Sequence, residues 1–165
     1  MIHVGNSLDR FAVRGRSILV TGATGALGHA AATALAEPGA LLTVAGGNGP
    51  ALTGLVEELT GAGGGVTSVE LRPESEDDAE AMVRAAVTAH GRLDGVLVAS
   101  GMNKVAPITD MPVADFEAVM DANVRGSWLV CKAVGRQLLA QGDGCIVRLV
   151  AITDPTGEYR IEPGS

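Results

Sequence analysis

The segment Thr21-Gly-Ala-Thr-Gly-Ala-Leu-Gly28 constrains the folding of this chain more than any other. It stands directly after an apolar run, Ser17-Ile-Leu-Val20, and directly before a helix-spaced set, Leu27, Ala30, Ala31, Ala34 and Leu35. A continuous apolar run closed by glycine predicts a strand buried on both faces. The spacing after it predicts a helix over 26–37, stopped by Pro38-Gly39. Glycines between such elements let the backbone turn tightly and approach a ligand closely. The helix start then offers N–H groups and a partial positive charge. The unit therefore predicts a diphosphate cradle, with Gly22, Gly25 and Gly28 in the loop, Ala26 and Leu27 at the helix start, and Thr24 as a hydroxyl donor. The alternative is that the glycines only pack the helix close to the sheet. A nucleoside-triphosphate loop is excluded because no lysine follows the glycines.

The same rhythm continues. Ala40–Ala45 predicts a second strand, closed by Gly46-Gly47-Asn48-Gly49-Pro50. Leu52, Leu55, Val56 and Leu59 mark a helix ending at Gly61 and Gly63, and Val66–Leu71 a third strand. Ser75 with Asp78 three residues on is a helix cap. Ala79, Met82, Val83, Ala86 and Val87 form one apolar stripe behind it, and Gly91 ends the helix. Leu93–Ala99 predicts a fourth strand. After a loop to Pro112, a long helical region runs to about Gln141, bent near Asn123–Gly126. Gly144 opens a fifth strand, Cys145–Val150. Strands alternating with helices predict crossover units, and hence an α/β fold. The expected architecture is a Rossmann-like doubly wound parallel sheet of about five strands with helices on both faces. Residues 1–16 read as a lead-in with Phe11 and Val13 packing, 17–151 as the nucleotide-binding domain, and 152–165 as a tail.

Composition closes off other classes. Net charge is −7 and the 12 Lys and Arg residues are scattered, so no basic stripe for nucleic acid exists. No apolar run reaches the roughly 18 residues of a membrane span. The first 16 residues carry no apolar stretch of a secretory leader, which makes a cytoplasmic location the expectation. Cys131 and Cys145 lie in apolar segments and are expected to be small buried hydrophobes. His3, His29 and His90 do not cluster, so no metal site is expected; His29 is read as a surface or packing residue.

Four segments together resemble the short-chain dehydrogenase/reductase family, over about residues 11–151. They are F-A-V-R-G-R-S-I-L-V-T-G, T-G-A-T-G-A-L-G, L-D-G-V-L-V-A-S-G, and M-D-A-N-V-R-G-S-W-L-V-C-K-A with G-C-I-V-R-L-V-A after it. The resemblance implies NAD(P)-dependent hydride transfer between a nicotinamide and an alcohol or carbonyl. It implies an Asn, Ser, Tyr and Lys set, in which Tyr is the acid/base, Lys lowers its pKa and Ser polarises the substrate oxygen. The Asn bends the long helix and positions a relay water. Asn123 matches that Asn, the alternative being a helix-bending residue without chemistry. Ala99 and Gly101 match the turn that borders the cofactor after the fourth strand. The resemblance also implies a homo-oligomer through the long helix, 113–141, with Trp128 either at that contact or packed on the sheet.

The departures are specific. The glycine spacing is G-x-x-G-x-x-G, and the family's Asn-Asn-Ala-Gly turn reads Val98-Ala99-Ser100-Gly101. An Asp usually near the adenine aligns with Arg72. Ala45-Gly46-Gly47-Asn48 carries neither an acid for an NAD ribose nor a base for an NADP phosphate, so the two cofactors are not distinguished. Asn48 is a candidate ribose or phosphate contact, or a turn residue. The Ser position aligns with Ala151, and Thr153 is the nearest hydroxyl to take its role. Tyr159, the one tyrosine, is followed four residues later by Pro163 rather than Lys. Three readings follow: the N-terminal two-thirds of an oxidoreductase, a non-catalytic nucleotide-binding module, and a dimerisation scaffold. The resemblance also implies sixth and seventh strands that are missing here, so the fifth strand is expected to leave an open apolar edge.

Overall fold

The computed structural model describes residues 12–61 and 65–150. Phe11, Thr153 and the 152–165 segment lie outside them. Five strands alternate with helices: β1 Ser17–Thr21, α1 Ala26–Ala36, β2 Leu41–Gly46, α2 Gly49–Gly61, β3 Val66–Glu70, α3 Glu76–His90 and β4 Gly95–Val98. A loop leads to α4 Val113–Met120, a π-helical turn Asp121–Gly126, α5 Ser127–Gln141 and β5 Cys145–Arg148. All pairings are parallel, and the sheet order is β3-β2-β1-β4-β5.

The pleat explains why the strands read as unbroken apolar runs. Successive side chains point to opposite faces, and both faces are covered. Leu19, Ala45, Val96 and Val98 face one way, onto Met82 and Ala86 of α3 and Leu129, Val130 and Val134 of α5. Val20, Leu42 and Val44 face the other way, onto Ala32 and Ala36 of α1 and Leu52, Leu55 and Leu59 of α2. Val13 packs against this second core, as expected. With few aromatics available, small residues set the layer spacing; Ala32, Ala36 and Ala86 are almost wholly buried.

Local signals hold the ends. The Ser75 Oγ accepts the Asp78 N–H at 3.1 Å and the Asp78 carboxylate accepts the Ser75 N–H at 2.9 Å, a reciprocal cap for α3. Gly91 closes that helix at φ 78°. The acidic first turn of α3 also reaches α5: Lys132 donates to Glu76 at 2.7 Å and Arg136 to Glu80 at 2.8 Å. The hydrogen bond and charge of Lys132 hold the Glu76 carboxyl below its ordinary pKa. Long-range polar ties matter as much. Asp94, just before β4, accepts the Ser17 N–H and the Arg16 and Arg92 guanidinium groups, joining the starts of β1 and β4.

The expected burial of both cysteines is corrected for one of them. Cys131 is half-buried beside the α3–α5 core, but Cys145 is exposed. β5 is the edge strand of the described sheet, and all of its residues are exposed, those paired with Val96 and Leu97 included. Trp128 does not pack on the sheet. It is 56% exposed, with the Lys132 ammonium 4.9 Å from its ring centre.

Candidate functional site

β1 delivers the chain to Gly22 at φ +65°, a conformation that disfavours side chains. A Cβ there would stand 2.6 Å from the Ser100 Cα, so the loop after β1 and the turn after β4 approach each other as closely as backbones can. The Thr21 and Ser100 hydroxyls are 3.0 Å apart, and Ala99 N–H donates to the Thr21 carbonyl at 3.2 Å. Gly25 N–H closes the turn onto the Gly22 carbonyl at 3.0 Å. Gly28 has the packing role: a Cβ on it would collide with the Gly22 carbonyl oxygen and lie 2.9 Å from the Ala23 Cα. Its absence lets the first turn of α1 press onto the loop. α1 itself begins at Ala26 behind Gly25 with no side-chain cap, so its leading N–H groups are open to an incoming anion.

β1 lies between β2 and β4, and the helices that follow these neighbours leave the crevice at their carboxyl ends open. A cavity of about 680 Å³ occupies it, a size suited to a small molecule or cofactor. Gly22, Thr24 and Gly25 line it from the loop, and Ala99, Ser100 and Gly101 from the turn after β4. Gly46 and Gly47 border it at the exit of β2, Arg72 and Glu74 after β3, and Asp121 and Arg125 on the π-helical turn.

The structure thus brings five of the expected residues, Gly22, Thr24, Gly25, Ala99 and Gly101, to one cavity. It leaves Ala26, Leu27, Gly28, Asn48 and Asn123 out of the lining. Leu27 points outward and is 67% exposed. The Asn48 carboxamide oxygen accepts the Ala51 N–H at 3.1 Å at the start of α2. His29 bonds Glu58 at 3.0 Å on the surface.

Asn123 sits in the bend of the long helix. That bend is the π-helical turn, a form frequent at functional sites. Its side-chain oxygen accepts the Met102 N–H and its amide donates to the Met102 carbonyl, both at 2.8 Å. The carboxamide so clasps the loop after β4, and Gly101 leaves room for it: a Cβ there would be 2.8 Å from Asn123 Oδ1. The backbone carbonyl of Asn123 accepts a hydrogen bond from Arg148 of β5.

Residues 16–158 match the family model described as short chain dehydrogenase. The chain belongs to the short-chain dehydrogenase family. An oxidoreductase of Mycobacterium tuberculosis is 61% identical over 145 residues, covering 87% of this chain and 53% of that protein. A short-chain type dehydrogenase/reductase structure from Mycobacterium marinum superposes with TM-score 0.83 at 30% identity, over 87% of this chain and 59% of that one. The structure of an NAD+-bound xylitol dehydrogenase gives TM-score 0.79 at 34% identity, over 82% and 53%. The chain spans about half the length of the curated relatives it matches.

The lining also holds two arginines outside the expected set of site residues, Arg72 and Arg125. Arg125 follows Asn123 on the bent turn. Arg72 lies across Gly47, so close that a Cβ on Gly47 would collide with the Arg72 Nε. The signal for Arg72 was its place after the third strand, where an acid was expected. Among the described residues, no helix is long and apolar enough to cross a membrane.

Proposed function

We propose that this chain holds a nicotinamide dinucleotide, NAD or NADP. The protein as a whole would transfer hydride between that cofactor and a small alcohol or carbonyl. The observation that carries the reading is the loop from Gly22 to Gly28, set in the crevice between β1 and β4 with an uncapped helix start behind it. The residues fit such a group. Gly22 and Gly25 leave backbone where side chains would otherwise fill the cavity mouth. The N–H groups at the start of α1, from Ala26 and Leu27, suit a diphosphate, and the Thr24 hydroxyl adds a donor. The exit of β2 would receive the adenosine half, and Ala99–Gly101 would border the nicotinamide half. A bound nicotinamide supplies the hydride acceptor or donor. Asn123 acts by clasping Met102, which fixes the wall of the cavity after β4.

The reading is tested by titrating the chain with NADH and with NADPH and following nicotinamide fluorescence. Saturable binding in the micromolar range is expected. A folded chain, by far-ultraviolet circular dichroism, that binds neither would overturn it and leave the scaffold reading.

We also infer that the long helix pairs with a second copy. Phe116, Met120, Val124 and Trp128 recur every four residues and are each between 42% and 56% exposed, a row of large apolar groups that water disfavours. Trp128→Ala is expected to shift sedimentation toward the monomer; an unchanged size at the same protein concentration would refute the pairing.

A further inference from the structure

The exit of β2 carries no ionisable side chain: it runs Gly46-Gly47-Asn48-Gly49. Yet the space beside it is charged. The register pairs Gly46 with Glu70, which brings the segment after β3 alongside. Arg72 then folds back over Gly47. A Cβ on Gly47 would collide with its Nε and stand 2.8 Å from its Cγ and 2.9 Å from its Cδ. The arginine stem occupies the space that a side chain at position 47 would take. Arg72 lines the cavity and forms no ion pair among the described residues.

In a doubly wound fold, the group at this strand exit meets the 2′ position of the adenosine ribose. An acid there accepts from a 2′-hydroxyl, while an arginine accommodates a 2′-phosphate. We propose that Arg72, supplied from β3 rather than β2, reads the 2′ position and makes the site prefer NADP(H) to NAD(H). The inference rests on the dinucleotide reading above. A planar guanidinium pairs with phosphate through charge-assisted, often bidentate hydrogen bonds. Two acids oppose it. The Glu70 carboxylate lies against Gly49, where a Cβ would be 2.5 Å from its Oε2, and Glu74 lines the cavity. They limit the preference to about tenfold to a hundredfold, the range of one hydrogen bond to a charged group.

The test is calorimetric titration of the full chain with NADP+ and NAD+, and with the fragments 2′,5′-ADP and 5′-AMP, which carry no hydride chemistry. The wild type is expected to bind NADP+ and 2′,5′-ADP at least about tenfold more tightly than their partners. Arg72→Gln is expected to bring each pair of affinities together, and Arg72→Lys to keep part of the difference. Equal affinities in the wild type, or a difference that survives Arg72→Gln, overturns the role of Arg72 while leaving dinucleotide binding intact. A wild type that binds neither dinucleotide overturns the underlying reading, and this one with it. Arg72 is exposed, so its variants should melt as the wild type does.

Discussion

Alanine at position 28 is expected to unseat the loop that follows β1. The added methyl would collide with the Gly22 carbonyl oxygen and lie 2.8 Å from the carbon that bears it. Both atoms are backbone, so no side chain can swing away, and α1 or the loop must move as a body. Forcing volume into a packed contact costs about 1–3 kcal/mol, and this contact belongs at the upper end because Gly22 is itself pinned against Ser100. Displacing the leading N–H groups of α1 should weaken dinucleotide binding by at least about tenfold. Urea unfolding and the NADH or NADPH titration read the two effects. Gly54→Ala is the control, since nothing lies within 4 Å of its added carbon and it sits within α2. It is expected to be neutral or to gain up to about 1 kcal/mol. A Gly28→Ala protein as stable and as well binding as the wild type would refute the packing role.

Asp94→Ala is expected to cost about 2 kcal/mol, for a reason that has little to do with surface ion pairs. Arg16 and Arg92 are half-exposed, so water and salt screen much of their attraction. The larger loss is the acceptor for the Ser17 N–H, bonded at 2.8 Å on a fully buried residue, since an orphaned buried donor costs about 1–3 kcal/mol. Burial alone would push the Asp94 carboxyl up. The Ser17 N–H, the Arg16 hydrogen bond and the Arg92 charge outweigh it and hold the carboxyl below its ordinary value. A carboxyl lowered by folding contributes stability that is whole above its unfolded pKa, about 3.9, and is lost as pH falls through the folded pKa. The gap in melting temperature between wild type and Asp94→Ala should therefore be constant from neutral pH to about pH 5 and narrow below about pH 4. A gap that does not change on acidification would contradict this account.

What could be read from the residues divides by distance along the chain. The Ser75–Asp78 cap, the Gly91 stop, the bend at Asn123–Gly126 and the strand rhythm were legible because each is decided within a few residues. The glycine loop was legible because its strand and helix flank it directly. Asp94 was not, since its partners Arg16 and Ser17 reach it only through the pairing of β1 with β4. In sequence Arg72 stands only where the resemblance implies an acid, while in the fold it lies over Gly47 at the exit of β2. Its position depends on the register of β2 against β3, which no local pattern specifies. Asn48 is consistent with a ribose contact and with a turn; its carboxamide oxygen accepts the Ala51 N–H. The apolar context of Cys145 suggests burial, but burial depends on what covers the strand, and β5 lies at the edge of the described sheet with all of its residues exposed.

The strand order also bears on how the molecule assembles. No two sequential strands are joined by a tight hairpin, so no pair can zip up from a local turn. β1 reaches β2 only after α1 has been passed, and β4 only after three helices. Each closure requires a long excursion of loose chain before any contact compensates it, which slows the search and leaves sticky strands waiting. β1, between β2 and β4, thus gains its second neighbour only after β2 and β3 have been made, and β5 is added to the edge after that.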